Sequence, residues 1–256
     1  MKIFVAAGTK DGRELAGYLL GQGHSVTASV VTEYGQSLLE TYQGIQINHQ
    51  PLDLTGFVEY FAQHQIELFV DASHPYAVNA SANAIEACHQ AGIPYIRYER
   101  QVTPVDYEQA YYVADYQSAA VKAAELGDTI FLTTGSRQLE IFAKAEVLKG
   151  KKLICRILPE TQVVEQAREL GFRPDAIVAM QGPFSVEMNK ELFKHYQAQV
   201  VVTKDSGNTG GTDSKVLAAE ELNLPLVIIS RPEIPYDNKV DSYEKVLEYV
   251  QTVANN

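Results

Sequence analysis

A chain of 256 residues that is 46% apolar and 21% charged carries enough material for one large or two ordinary globular cores, which excludes a disordered or low-complexity protein. A formal net charge of −11 excludes a broad basic face, and with it nucleic acid or an anionic membrane as partner, so an anionic ligand must be met by a local cluster of cations and backbone N–H groups. The first apolar run, 3–7, is too short for a secretory signal and no run is long enough to span a membrane; the chain reads as cytoplasmic, with Cys88 and Cys155 as two buried thiols, no metal site, and a monomer assumed.

Short apolar runs alternate with helix-like stretches almost from end to end, the pattern of parallel βαβ units. Strands are predicted at 2–7, 25–31, 45–48, 68–72 and 94–97 in the first half, and at 110–114, 129–133, 152–157, 176–180, 199–203 and 226–230 in the second. Between them lie amphipathic stretches such as 13–20, where Leu15, Leu19 and Leu20 share one helical face. The stretch 98–109 is polar, contains Pro104 and has no sustained period. A lobe boundary is placed there, giving a first α/β lobe at 1–103 and a second at 104–256, with the ligand expected in a cleft between them.

The first strand runs into Gly8-Thr9-Lys10-Asp11-Gly12-Arg13, ahead of the first helix. Backbone N–H groups at a helix start can wrap a phosphate, and the helix dipole favours its charge, so Gly8, Thr9, Gly12 and Arg13 are candidate cofactor ligands; an ordinary tight turn is the alternative. After the second strand, Thr32 and Glu33 follow, with Glu33 25 positions beyond Gly8, near where an acid binds the adenosine ribose of a dinucleotide. A carboxylate there favours NADH over NADPH, although Glu33 also suits the first turn of a helix on dipole grounds alone. The strand at 68–72 ends in Asp71-Ala72-Ser73-His74-Pro75-Tyr76, where Pro75 fits a first helical turn and Ser73, His74 and Tyr76 would present polar side chains to a ligand. His74 is the one histidine in such a turn; His24, His49, His64, His89 and His195 read as solvated.

The second half contributes three more strand-to-helix turns: Thr133-Thr134-Gly135-Ser136-Arg137, Gln181-Gly182-Pro183-Phe184-Ser185, and the run from Thr203 to Lys215 that holds Lys204, Asp205, Ser206, Gly210 and Gly211. Each alone is a plain βα turn. Together, Ser136, Arg137, Ser185, Lys204, Ser206, Gly210, Gly211 and Lys215 suit a ligand with several carboxylates or phosphates. None has the spacing of a Walker loop.

At these turns the sequence resembles the precorrin-6A reductase family of cobalamin (vitamin B12) corrin-ring biosynthesis. The matching pieces are Gly8-Thr9 with 12–16, 71–77, Tyr98-Glu99-Arg100, Thr134-Gly135-Ser136-Arg137, Gly182-Pro183-Phe184-Ser185, and Lys204-Asp205-Ser206-Gly207 with Gly210-Gly211 and Lys215, in family order along nearly the whole chain. The sequence departs from the pattern at Ala7, where a glycine is common, and at Gln101, where a proline is common. The resemblance implies two Rossmann-like parallel-sheet lobes, NAD(P)H on the first, and a polycarboxylate tetrapyrrole as substrate. The implied reaction reduces one double bond of precorrin-6A, or of its cobalt complex, to the 6B form, and the stretch 29–35 looks more like the cobalt-substrate branch, which is associated with NADH.

Such a reaction needs the hydride donor fixed against the acceptor, and it needs a proton. His74, Tyr76 and Asp205 are the candidate proton donors, and the choice among them stays open. A nucleotide-binding sensor without turnover is the rival of a different class, and the three polar turns of the second half count against it. A short-chain dehydrogenase would require Tyr-x-x-x-Lys, whereas Tyr76 is followed four places on by Ala80.

Overall fold

Strand β1 (Lys2–Ala6) sets the plan of the first half: Ile3 and Val5 enter one apolar cluster and Phe4 another, because successive side chains point to opposite faces and both faces are covered. The computed structural model describes residues 1–101, 105–205, 207 and 211–255. It divides into two units, Met1–Gln101 with Glu233–Asn256, and Val102–Pro232. In the first unit the chain order is β1, α1 (Lys10–Gly21), β2 (Ser25–Ser29), α2 (Glu33–Leu39), β3 (Gln46–Asn48), α3 (Leu54–His64), β4 (Leu68–Asp71), α4 (Val78–Ala91) and β5 (Tyr95–Tyr98). The second runs β6 (Ala110–Val113), α5 (Tyr116–Leu126), β7 (Thr129–Leu132), α6 (Leu139–Lys144), β8 (Lys152–Ile157), α7 (Thr161–Glu169), β9 (Ile177–Ala179), α8 (Val186–His195), β10 (Val200–Lys204), α9 (Thr212–Glu221) and β11 (Leu226–Ile229). Then come β12 (Lys239–Val240) and α10 (Tyr243–Ala254).

Each unit is a parallel six-stranded sheet flanked by helices, in the orders β12-β5-β4-β1-β2-β3 and β6-β11-β10-β7-β8-β9. In the first, α1 and α10 cover one face through Leu15, Leu19, Val246 and Val250, while α3 and α4 cover the other through Phe57, Phe61, Ala84 and Ala87. In the second, α8 and α9 supply Phe193, Val216 and Ala219 to a core with Phe131 and Ile154. The strand order reverses between β1 and β4, and again between β7 and β10; these are the switch points where doubly wound sheets bind ligands beyond their strand ends.

All eleven expected strands are present, with ends that differ by no more than two residues. The second lobe was expected at 104–256, and residues 233–256 group with the first unit. The strand after β5 joins the second sheet beside β11, whereas the strand after β11 returns to the first sheet beside β5. Arg97 N donates to the Asn238 carbonyl and Glu99 N to that of Val240, which ties the tail into the first unit. Both cysteines are buried and free, and among the described residues no helix is long and apolar enough to cross a membrane and no acidic, histidine or cysteine group forms a metal cluster.

Candidate functional site

At the β1/β4 edge, Thr9 joins the two strand ends. Its hydroxyl donates to the Ala72 carbonyl at 2.9 Å and accepts from Gly12 N at 2.9 Å as the cap of α1. Gly12 is required by packing, since a Cβ there would lie 2.9 Å from the Ala72 oxygen and 3.0 Å from Ala7 Cα. Gly8 is different: a Cβ would meet nothing within 4 Å, so the protein's own packing does not call for glycine. Asp11, the one acid in the first turn of α1, is paired with Arg100, and Arg13 makes no ion pair among the described residues. An open turn at the start of a twelve-residue helix, with the nearby acid neutralised, fits a phosphate group. Thr32 caps α2 by accepting from Gly35 N at 3.0 Å, and Glu33 follows it in the exposed first turn.

The β4–α4 turn differs from its expected form. Pro75 stands in a turn closed by Ala77 N donating to the His74 carbonyl at 2.8 Å, and the helix begins only at Val78. His74 and Tyr76 sit together half-buried, with Tyr76 N donating to His74 Nδ1 at 3.3 Å. Ser73 is directed elsewhere, its hydroxyl accepting from Arg97 Nη1 at 3.2 Å.

That arginine belongs to a buried network at the ends of β4 and β5. Asp71 accepts from Ser73 N, Ser81 Oγ, Tyr95 Oη and Arg97 Nη1 at 2.6 to 2.9 Å. The other edge of the guanidinium donates to Glu99, which also pairs with Lys239 of β12 at 2.6 Å. Burial raises the Asp71 carboxyl, but Arg97 and the hydrogen bonds from Ser73, Ser81 and Tyr95 outweigh it and hold the group below its ordinary value. Burial likewise opposes the charge on Arg97, and Asp71, Tyr236 and Glu99 together keep it protonated. The network fixes the backbone of the turn that presents His74.

The β7/β10 edge is built from cations. Leu132 of β7 pairs with Cys155 of β8 and with Val202 of β10, so Arg156 and Thr203 lie one residue nearer the carboxyl edge on either side, followed by Lys204. Burial, then Arg137, lowers the Lys204 ammonium to about 8. Burial, then Arg156 and Lys204, lowers Lys215 on α9 to about 7. Three expected cations are thus brought together with a fourth, Arg156, and among the described residues neither Arg137 nor Arg156 has an ion-pair partner. Among the described residues, the buried Thr134 hydroxyl in the turn after β7 has no hydrogen-bond partner. Asp205 is buried, with its carbonyl accepting from Arg231 Nε at 3.2 Å and its carboxylate 3.8 Å from it.

Other expectations for this edge change in detail. Ser136 and Arg137 do not open a helix directly, since α6 begins at Leu139, has six residues and has no side-chain cap. Ser185 is the cap of α8, accepting from Met188 N at 3.2 Å, and Gly211 caps α9 with φ +69. Ser206 and Gly210 lie outside the described residues. Asp71 and Thr134 were named within their turns without a role, and Arg97, Arg156 and Asn189 were missed. The available signal was a charged residue near the carboxyl end of an otherwise apolar strand, as in Leu68-Phe69-Val70-Asp71 and Ile154-Cys155-Arg156-Ile157.

The family model described as precorrin-6x reductase CbiJ/CobK matches residues 2–251. The chain belongs to the precorrin-6x reductase family. It is 39% identical over 246 residues to a cobalt-precorrin-6A reductase of Priestia megaterium, covering 96% of each chain. It is 36% identical over 239 residues to a cobalt-precorrin-6A reductase of Methanothermobacter thermautotrophicus, covering 91% of this chain and 78% of that one. A solved structure described as CobK precorrin-6A reductase superposes with a TM-score of 0.78 at 26% identity, covering 99% of this chain and 97% of the other. The two switch points differ in what they present, backbone N–H groups at the start of α1 on one and side-chain cations on the other.

Proposed function

We propose that this chain reduces a macrocyclic double bond of cobalt-precorrin-6A with NADH, binding the cofactor at the β1/β4 edge and the carboxylate arms of the substrate at the β7/β10 edge. Family membership carries the reaction class, an oxidoreductase acting on a CH–CH group of precorrin-6A in cobalamin biosynthesis. The observation that carries the division of roles is the gathering of Arg137, Arg156, Lys204 and Lys215 at one sheet edge of a chain with net charge −11. Like charges gathered at one edge repel, and two of them, Arg156 and Lys215, are also buried, so their placement together favours an anion as ligand. Both named relatives are cobalt-precorrin-6A reductases, which supports the cobalt form of the substrate.

When bound, the reduced nicotinamide supplies the hydride, and a proton from the protein or solvent completes the reduction. Gly8, Thr9, Gly12 and Arg13 hold the phosphates, with Thr9 keeping the two strand ends in register. Ser73 contributes through its backbone, because its hydroxyl is engaged by Arg97. Thr32 orients the start of α2, where Glu33 accepts from the adenosine ribose. No lysine or arginine occurs between Arg13 and Arg97, so the β2–α2 turn offers no cation to a 2′-phosphate, which supports NADH over NADPH. We assign the proton to the His74–Tyr76 turn, because Asp205 stands against Arg231. Ser136, Ser185 and Gly211 shape the substrate edge beside the four cations, with Ser206 and Gly210 proposed from the sequence alone.

The test is to mix the pure protein with the cobalt-corrinoid and then with NADH or NADPH, following the absorption of the macrocycle. Bleaching of the substrate band that is faster with NADH at equal concentration is expected. No spectral change with either nucleotide would overturn the reductase reading; faster change with NADPH would overturn the role of Glu33.

A further inference from the structure

Arg156 enters a core where an aliphatic side chain would be the ordinary choice. It shares a sheet face with Ile154, whose neighbours are Phe131, Val178 and Phe193, and only 6% of its surface is exposed. Its contacts are neutral. Nη1 donates to Asn189 Oδ1 at 2.7 Å, and the guanidinium carbon lies 4.2 Å from the centre of the Phe184 ring. Burial alone lowers the guanidinium to about 10, with no acid opposing the shift. A guanidinium has five N–H donors, and among the described residues one of them is accounted for.

Asn189 is the group that aims it. The amide is fully buried on α8; its Nδ2 donates to the Ser185 carbonyl at 2.8 Å and to Ser214 Oγ at 3.3 Å, which leaves Oδ1 for Arg156. One side chain therefore fixes the start of α8, the first turn of α9 and the arginine of β8 in a single arrangement. Lys215, one residue beyond Ser214, is close enough for its charge to feel Arg156. The Phe184 ring packs against one face of the guanidinium and limits its rotation. A planar fork held at a strand end, with a second buried cation beside it, matches the two oxygens of a carboxylate.

We propose that Arg156, positioned by Asn189, is a specificity-determining ligand for one carboxylate arm of the substrate. This rests on the reading that the β7/β10 edge takes the polycarboxylate macrocycle. It adds a fixed bidentate anchor to the flexible lysines, so that macrocycles are sorted by whether an acid arm reaches that point. A neutral arm would leave a buried charge unmatched, and an arm of the wrong length would leave the fork empty.

The probe is uroporphyrin, an octacarboxylate tetrapyrrole, compared with coproporphyrin, which has four carboxylates, each titrated into the cofactor-free full chain by absorption and tyrosine fluorescence. Wild type is expected to prefer uroporphyrin. Arg156→Gln should weaken uroporphyrin binding at least about tenfold, narrow the preference between the two porphyrins, and leave NADH affinity unchanged. Arg156→Lys should recover part of the affinity and little of the preference, because charge returns without the fork. The melting temperature supplies a readout with opposite sign for a structural role: without ligand, Arg156→Gln is expected to match or exceed wild type, while added uroporphyrin raises wild type more than the variant. If Arg156→Gln binds as wild type while Lys204→Gln binds poorly, the Arg156 proposal alone falls. If wild type binds neither porphyrin, the reading of the whole edge falls with it. If Arg156→Gln melts well below wild type, Arg156→Lys decides: full recovery of binding preference by that variant overturns the proposal.

Discussion

Arg97 and Arg156 are both buried arginines at the carboxyl ends of strands, one in each unit, and the protein treats them in opposite ways. Arg97 lies between Asp71 and Glu99, with Ser73 and Tyr236 against its remaining surface, so its charge is matched within the fold. Arg156 has an amide and an aromatic ring, and its charge acts on a second cation, Lys215. The same winding of strands thus carries two electrostatic designs. A matched buried cation braces a turn; an unmatched one stores an attraction for an anion that arrives later. On the first edge the open Gly8 turn and helix α1 provide for charge through backbone dipoles, which suits the phosphates of a nucleotide.

The largest effect should come from breaking the matched network. Arg97→Leu leaves Asp71 buried without its counter-ion and is expected to destabilise the protein by about 3–5 kcal/mol in urea unfolding, whereas Arg156→Leu removes an unmatched charge, strands only the Asn189 Oδ1 and should cost no more than about 1 kcal/mol without ligand. Equal losses at both positions would remove the contrast. Next, Lys204→Gln should raise KM for the tetrapyrrole by about tenfold or more, in line with a charge-assisted hydrogen bond of about 1.5–3 kcal/mol, with KM for NADH unchanged. The two glycines of the first turn should also part company. Gly12→Val forces a side chain against the Ala72 carbonyl and is expected to cost about 1–3 kcal/mol of stability, measured by thermal unfolding, while Gly8→Val should unfold as wild type does.

A smaller effect follows from proton linkage. Lys215 and Lys204 are lowered to about 7 and about 8, while in the unfolded chain both keep their protons to about 10.4. From about pH 7 to 8.5 the unfolded state therefore binds more protons than the folded state, and stability rises with pH. Above that range Cys88 and Cys155, pushed up to about 12 by burial, act in the other direction, because unfolded thiols ionise near about 8.5. The urea midpoint of the ligand-free protein is expected to rise between pH 7 and 8.5, and Lys215→Met should flatten that rise. A midpoint that falls over this interval would contradict the buried-cation account.

Much of this architecture is legible in the sequence because strand and turn signals are local. Runs such as 2–7 and 226–230 announce themselves by apolar content bounded by polar turns, and every one of the eleven proved to be a strand. The two-residue β12 is too short to show a period, and the pattern of α10 reveals an apolar face without saying which sheet receives it. The return of β12 and α10 to the first sheet is a long-range property and stayed hidden for that reason. Within the site, turns with glycine, hydroxyl and cation were visible as motifs, whereas Arg97, Arg156 and Asn189 sit inside regular elements, where a lone polar residue is a weaker signal and its burial shows that it needs a partner. The β4–α4 turn was misplaced because Pro75 suits position two of a β-turn as well as it suits a first helical turn.

The division of labour between the two edges is tested most directly by a crossed titration. Gly8→Leu and Lys204→Gln are each titrated with NADH and, separately, with uroporphyrin. Gly8→Leu is expected to lose NADH and keep the porphyrin, while Lys204→Gln is expected to lose the porphyrin and keep NADH. Loss of both ligands in either variant, or retention of NADH by Gly8→Leu, would contradict that division.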